Sequence, residues 1–503
     1  MAKKKHRKKT AKKSRATKRS SSGTPSRQTS QDSGFASLDR DLSQGLEGGA
    51  DQGQTTGRMI MTLLDEGPQA AKQAVKAMSN MTGMSASRMM HSSDFGSEEM
   101  PVDILNDANF IVLDKVGVVI LNGNQEENAM ASAATPQDDN VVVEPEYWNV
   151  PLGFESSATD FGDETSPIDD LGVGAGSSMS QEFLLGARRV LDLLIEHQSG
   201  GNSMSRTLNT GRCFSDNTSF TWGLQATNVS SSPLSGRGVK VAVLDSGFDA
   251  SHPDFAGRVI QRATFIPRNE PDNDTNDRNG HGTHCIGTAC GTRNPGVGPR
   301  YGVAHGAEIF SGKVLRQRGG GASGADGWIL SGMNWALQNR CEIISMSLGS
   351  RAFNSQFPIM YERAAQRGLR AGTLILAATG NDSNRRFGQM DAVGRPANCP
   401  SIASVAAVDS CLGIARFSNG QRFGNGGEVN FSGPGVNVLS SVPMPRRRAS
   451  FNGTSMATPH AAGIAALIVE QTGKTGIELY REMRNRAQQI GNRRDFGNGL
   501  VRI

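Results

Sequence analysis

Long apolar runs are missing from this chain: no stretch approaches the roughly 18 apolar residues that a membrane-crossing helix needs, so no transmembrane segment is expected. Cysteine is sparse. The six present, Cys213, Cys285, Cys290, Cys341, Cys399 and Cys411, are too few and too scattered for a disulfide scaffold, and no CxxC pair points to zinc. Reduced, buried thiols are therefore expected. Aromatics make up only 6% while glycine numbers 61, a balance found in tightly packed α/β enzymes. Acidic residues are absent from positions 1 to 20, which hold eleven Lys or Arg, leaving 42 basic against 48 acidic side chains in the rest. The formal charge of +5 thus belongs to the tail and not to a folded surface. No apolar stretch follows those charges, so the tail does not read as a secretory signal, and the cytoplasm is expected over secretion. No internal repeat is visible.

What is present divides the 503 residues unevenly. Residues 1 to 100 read as largely unfolded, with few β-branched or aromatic residues, apart from "GRMIMTLLDEGPQAAKQAVKAM" (57 to 78), which is compatible with a helix or two. A small α+β unit is expected over 101 to 152, with strands in "NFIVLDKVGVVIL" and "NVVVEPEYWNVPL". Residues 153 to 217 read as linker, with a helix near 180 to 197. From 218 to 503, strand runs ("VKVAVL", "AEIFSGKVL", "EIISMSL", "TLILAAT", "SIASVAAV") alternate with helix-compatible stretches (281 to 291, 324 to 339, 357 to 370, 455 to 470, 475 to 490). That order predicts an α/β domain whose mostly parallel sheet is covered by helices on both faces.

Functional groups in such sheets gather at the carboxyl ends of strands. Asp245 ends "GVKVAVLDSGFD", His281 lies between glycines in "NGHGTHCIGTACG", and Ser455 stands near the tip of the buried run "FNGTSMATPHAAG". Alone, each has a bland reading: a turn aspartate, a structural histidine, an N-cap serine. Together they make the orienter, base and nucleophile of acyl-transfer hydrolases. Pro459 close behind Ser455 is an oddity, since its ring removes one backbone donor from the helix.

The motifs "DSG", "HGTH" and "GTSMATPH", in that order, resemble those of the subtilisin-like serine peptidases, the subtilases, over about 220 to 503. The resemblance implies a serine endopeptidase acting on polypeptides, with Asp245 orienting the imidazole, His281 as general base and acid, and Ser455 as nucleophile. It implies Asn381 in "TLILAATGNDS" as an oxyanion donor beside the Ser455 amide, and Ser347, Leu348 and Gly349 as an edge that pairs with extended substrate. Gly394 in "VGRPANCPS" resembles the floor of the specificity pocket. No cofactor is needed for the chemistry. Asp254 in "SHPDF" stands where relatives often bind structural calcium, and that possibility stays open beside a structural role. Cys285, one turn after His281, is expected to pack beneath the site. Residues 109 to 152 resemble a reduced propeptide, and a monomer is expected. The alternative function is polyanion binding through residues 1–20 by counterion release, with the later domain as a folded module of little turnover.

Overall fold

A computed structural model describes residues 55–95, 108–133, 140–152, 154–155, 213–318, 321–352, 354–422 and 426–503. The basic tail 1–20 and the helix expected near 180–197 lie outside the described residues. The first segments give β1 (Thr55–Leu63), α1 (Pro68–Thr82), β2 (Met89–His91), β3 (Phe110–Leu113), β4 (Val118–Leu121), α2 (Gln125–Ala133), β5 (Val141–Pro151) and β6 (Phe154–Glu155). Their sheet runs β5-β1-β4-β3-β2, antiparallel except for the β2–β3 pair.

Strand geometry sends successive side chains to opposite faces. Met59, Met61 and Leu63 of β1 enter a core with Val75, Met78 and Ala131 of the covering helices. Ile60, with Ile111, Leu113, Val118 and Ile120, joins a second cluster that contains Trp328, Met360 and Tyr361 of the following domain. Two expectations are corrected here. Residues 55–95, expected to be mostly unfolded, are built of strands and helices, and "RMIMTL" is a strand and not a helix. With both sheet faces covered, β1 reads as an unbroken apolar run, for which periodicity cannot separate strand from helix.

The following domain contains α3 (Trp222–Ala226), β7 (Lys240–Asp245), β8 (Ile260–Thr264), α4 (His281–Cys290), β9 (Glu308–Lys313), β10 (Arg316–Arg318), β11 (Gly321–Ala325), α5 (Asp326–Gln338), β12 (Ile343–Met346) and β13 (Leu348–Gly349). It continues through α6 (Ile359–Ala371), β14 (Leu374–Ala378), β15 (Ala403–Val408), β16 (Phe431–Pro434), β17 (Val438–Ser441), β18 (Arg448–Asn452), α7 (Thr454–Thr472) and α8 (Gly476–Arg486). Seven strands form a wholly parallel sheet in the order β16-β15-β14-β12-β7-β9-β8. Helices α5 and α6 share an apolar cluster with Leu244, Met346 and Ala377, while α4 and α7 pack against β7, and α7 also against β12 and β14 to β16. The strands alternate with the helices that the sequence predicted. α7 is buried all round from Thr454 to Val469, as its run of small apolar residues requires.

Cys213 and Cys411 are joined in a disulfide across 198 residues, which corrects the expectation that the thiols are reduced. The backbone runs in step there, Phe214 N donating to the Ser410 carbonyl at 2.8 Å. Cys285, Cys290, Cys341 and Cys399 are free and buried. Such bonds persist in oxidising compartments. No described helix is long and apolar enough to cross a membrane.

Candidate active site

Asp245 is the last residue of β7 and His281 the first of α4, and the two meet in the buried interior. Oδ1 of Asp245 accepts from His281 Nδ1 at 2.8 Å and from the Ser246 amide at 2.7 Å. The Nδ1 hydrogen is committed to the carboxylate, so in the neutral ring Nε2 carries the lone pair. Gly280 precedes the helix at φ 97°, a conformation that costs glycine little.

Asp277, which sequence reasoning missed, secures this junction. Its Oδ2 accepts from the Thr283 amide at 2.8 Å and the Thr283 hydroxyl at 2.7 Å. Its Oδ1 accepts from Gly280 N at 2.8 Å and from the Ser246 hydroxyl at 2.9 Å, and Ser246 Oγ in turn accepts from Gly282 N at 2.9 Å. One carboxylate therefore ties the start of α4 to the residue after Asp245. Its position four residues ahead of the helix was the available signal.

Burial pulls the imidazole of His281 down, but the charge of Asp245 outweighs it, with help from Cys285, and holds the pKa well above the ordinary histidine value. The neighbouring His284 moves the other way, to about 3, because burial and the His281 charge both oppose its protonation. It stacks on Phe451 with ring centroids 4.4 Å apart and bonds the Val438 carbonyl at 2.9 Å through Nε2. Of this pair on α4, only His281 is set up to carry a proton.

Ser455 is the second residue of α7 and not its cap; that position belongs to Gly453, at φ 149°. The hydroxyl donates to the Ser347 carbonyl at 3.0 Å, and Nε2 of His281 has no hydrogen-bond partner among the described residues. Cys285 touches both residues, its sulfur 3.8 Å from His281 Nδ1 and 3.6 Å from the Ser455 carbonyl. The lost donor of Pro459 would have bonded the carbonyl four residues back, that of Ser455. That carbonyl accepts from the Ser347 hydroxyl at 2.8 Å instead.

The cleft is filled by the chain itself. β5 runs antiparallel between two edges, pairing Asn149 with Gly324 and Trp148 with Ala325 on β11, and Val150 with Gly349 and Pro151 with Leu348 on β13. Leu152 N donates to the Ser347 carbonyl at 3.1 Å, and Cδ1 of Leu152 lies 3.3 Å from where a Gly349 side chain would begin. The Leu152 carbonyl accepts from Asn381 Nδ2 at 2.7 Å and from the Ser455 amide at 3.0 Å. Asn381 is held in that orientation because its Oδ1 accepts from Thr454 N at 3.0 Å and Thr454 Oγ1 at 2.9 Å. On the far side β6 pairs with β18, Phe154 opposite Asn452 and Glu155 opposite Phe451. The edge over residues 347–349 was expected; the facing edge β11 and the threaded Leu152 were not. Gly394 bonds Thr379 O through its amide at 2.8 Å, and a side chain there would begin 2.7 Å from the Ser350 carbonyl.

Asp254, the candidate calcium ligand, is held by protein donors. Its two oxygens accept from Arg447 at 2.6 Å, Arg448 at 3.0 Å and the Tyr301 hydroxyl at 2.8 Å. Burial raises its pKa, but these donors prevail and lower it to about 2. Two guanidinium groups fill the place of a cation, so these residues do not fit calcium. Elsewhere among the described residues, Asp245, His281 and Cys285 are close enough to share an ion. The first two are bonded to each other, and burial pushes the thiol up, keeping it protonated.

Residues 236–499 match the model of the subtilase family. The chain is 36% identical to Subtilisin E of Bacillus subtilis (strain 168) over 282 residues, covering 56% of this chain and 68% of that protein. It is 38% identical to an intracellular serine protease of Paenibacillus polymyxa over 275 residues, covering 53% and 79%. With a thermostable alkaline protease of Halalkalibacterium halodurans it shares 38% identity over 285 residues, covering 56% and 71%.

Proposed function

This chain belongs to the subtilase family and is a serine endopeptidase; from that premise we propose that Ser455, His281, Asp245 and Asn381 perform the chemistry, and that the first bond they cut joins Leu152 to Gly153. The observation that carries this reading is the Leu152 carbonyl held by the Ser455 amide and Asn381 Nδ2, at 3.0 and 2.7 Å, while β5 and β6 extend it on either side as paired strands.

The steps follow from the atoms available. The Ser455 hydroxyl turns from the Ser347 carbonyl to Nε2 of His281, which takes its proton as the oxygen attacks the Leu152 carbonyl carbon. Negative charge gathers on an oxygen already facing two N–H donors. The Asp245 carboxylate stabilises the imidazolium and stays ionised. Collapse breaks the carbon–nitrogen bond, and the Nε2 proton passes to the departing amine of Gly153. Water then gives a proton to Nε2 and attacks the Leu152–Ser455 ester, releasing the Leu152 carboxylate and restoring the hydroxyl.

Residues 55–152 then act as a propeptide that stays seated after the cut. Glu144 accepts from the Ile359 and Met360 amides at 3.0 and 2.8 Å, at the start of α6. Glu146 accepts from Gly327 N at 2.9 Å in the first turn of α5, and is neutralised by Arg58 at 2.7 and 2.8 Å. A negative charge at a helix N-terminus is favourable, and two such contacts anchor one strand.

Expression of the whole chain beside Ser455→Ala tests the reading by intact mass and N-terminal sequencing. The unaltered chain is expected to yield a fragment beginning at Gly153, and Ser455→Ala to remain one chain of 53.4 kDa. Equal cutting after Leu152 in Ser455→Ala, or no cutting there in the unaltered chain, would overturn it.

A further inference from the structure

We propose that Asp326 determines specificity by accepting a hydrogen bond from the side chain of the fourth residue before the cut bond, so that the enzyme prefers substrates with an uncharged donor such as asparagine there. The inference rests on the reading that cleavage follows Leu152, which makes Asn149 that fourth residue.

Asn149 and Asp326 are each 1% exposed, and Nδ2 of Asn149 donates to Oδ1 of Asp326 at 2.7 Å. The same Oδ1 accepts from the Tyr361 hydroxyl at 2.8 Å, and Oδ2 accepts from the Tyr147 amide at 2.8 Å. The carboxylate therefore does two kinds of work. Through Oδ2 it holds backbone, which any peptide supplies. Through Oδ1 it reads a side chain, which only some peptides supply. Pairing of Asn149 with Gly324 fixes the direction in which that side chain points.

Discrimination follows from burial. An apolar side chain in this place leaves a sequestered carboxylate short of a donor, and a partner lost from a charged group is costly. An acidic side chain puts two carboxylates side by side, which disfavours ionisation of either. Asparagine meets the oxygen with an N–H and adds no net charge. Apolar packing alone separates side chains far less sharply than a buried hydrogen bond does.

Four peptides, succinyl-Xaa-Val-Pro-Leu-p-nitroanilide with Xaa as Asn, Ala, Leu or Asp, are compared on the processed enzyme freed of residues 55–152. The asparagine peptide is expected to exceed the leucine and aspartate peptides in kcat/KM by about tenfold or more. Ratios within one preparation do not depend on how much of it is folded. In Asp326→Leu the order of asparagine and leucine is expected to reverse. In the isosteric Asp326→Asn, the aspartate peptide is expected to rise to within about threefold of the alanine peptide, as the repulsion between carboxylates disappears. Asparagine and leucine peptides within twofold of each other on the unaltered enzyme would overturn the inference, as would ratios unmoved in both variants. No turnover of any peptide overturns the catalytic reading, and this inference with it.

Discussion

On the oxyanion side of Leu152, the Ser455 amide at 3.0 Å and Asn381 Nδ2 at 2.7 Å already hold the carbonyl oxygen. On the proton-transfer side, His281 holds Asp245 at 2.8 Å, but the Ser455 hydroxyl is bonded to Ser347 and Nε2 is unmet. The difference lies in how each donor is supported. A backbone amide in the first turn of a buried helix cannot move without the helix, and the Asn381 amide is fixed at its other end by Thr454. A serine hydroxyl hangs on one torsion with three staggered wells. In the proposed mechanism the charge-stabilising half is thus built before reaction begins, while the proton relay still requires the Ser455 hydroxyl to turn from Ser347 toward Nε2.

Breaking the prepared half is expected to have the largest effect. Asn381→Leu should slow self-cleavage about 10²–10³-fold, the size measured for the corresponding loss in subtilisin, with the cut still after Leu152. A loss below tenfold would mean that the Leu152 carbonyl is not held there during reaction. The relay half is probed by pH. Burial lowers the pKa of His281 and Asp245 more than restores it, to well above the ordinary value of 6.5. The base must be neutral, so self-cleavage should fall tenfold per pH unit below a midpoint that lies above 6.5. A midpoint below 6.5 would contradict the dominance of Asp245. For stability the sign is opposite. The charged imidazole stabilises the fold fully below the unfolded pKa, and that contribution is lost as pH rises through the folded one.

The smallest effect is expected where the halves touch. Ser347→Ala removes the hydroxyl that bonds the Ser455 carbonyl at 2.8 Å but keeps the backbone carbonyl that pairs with Leu152. It should lower Tm by about 2–4 °C, as for one net hydrogen bond in a domain of this size. The turnover rate kcat should change by less than about threefold, since both oxyanion donors remain. A tenfold loss of kcat would show that the nucleophile's position depends on this hydroxyl.

How much of this was legible beforehand depends on distance along the chain. Asp245, His281 and Ser455 could be read because each sits beside glycines at a strand end or helix start. The parallel sheet could be read because its buried strands are short apolar runs of β-branched residues. Leu152 could not, because its contact with Asn381 joins residues 229 apart and its neighbourhood reads as an ordinary strand end. The Cys213–Cys411 bond was hidden in the same way. Asp326 fell inside a stretch read only as helix-compatible, 324 to 339, and it is the first residue of that helix. Asp254 was visible as a candidate ligand, but nothing in "SHPDF" announces the two arginines that reach it from near residue 447.

The proline four residues after Ser455 changes what the helix can be fastened to. In an unbroken α-helix each interior carbonyl is spent on the coil above it, and a rod buried on every side has none left over for its surroundings. Omitting one rung at Pro459 frees the carbonyl of Ser455 itself, so that Ser347, between β12 and β13, can grip the rod at the proposed nucleophile. Ser455 is thereby anchored through its own backbone, whatever bond its side chain makes.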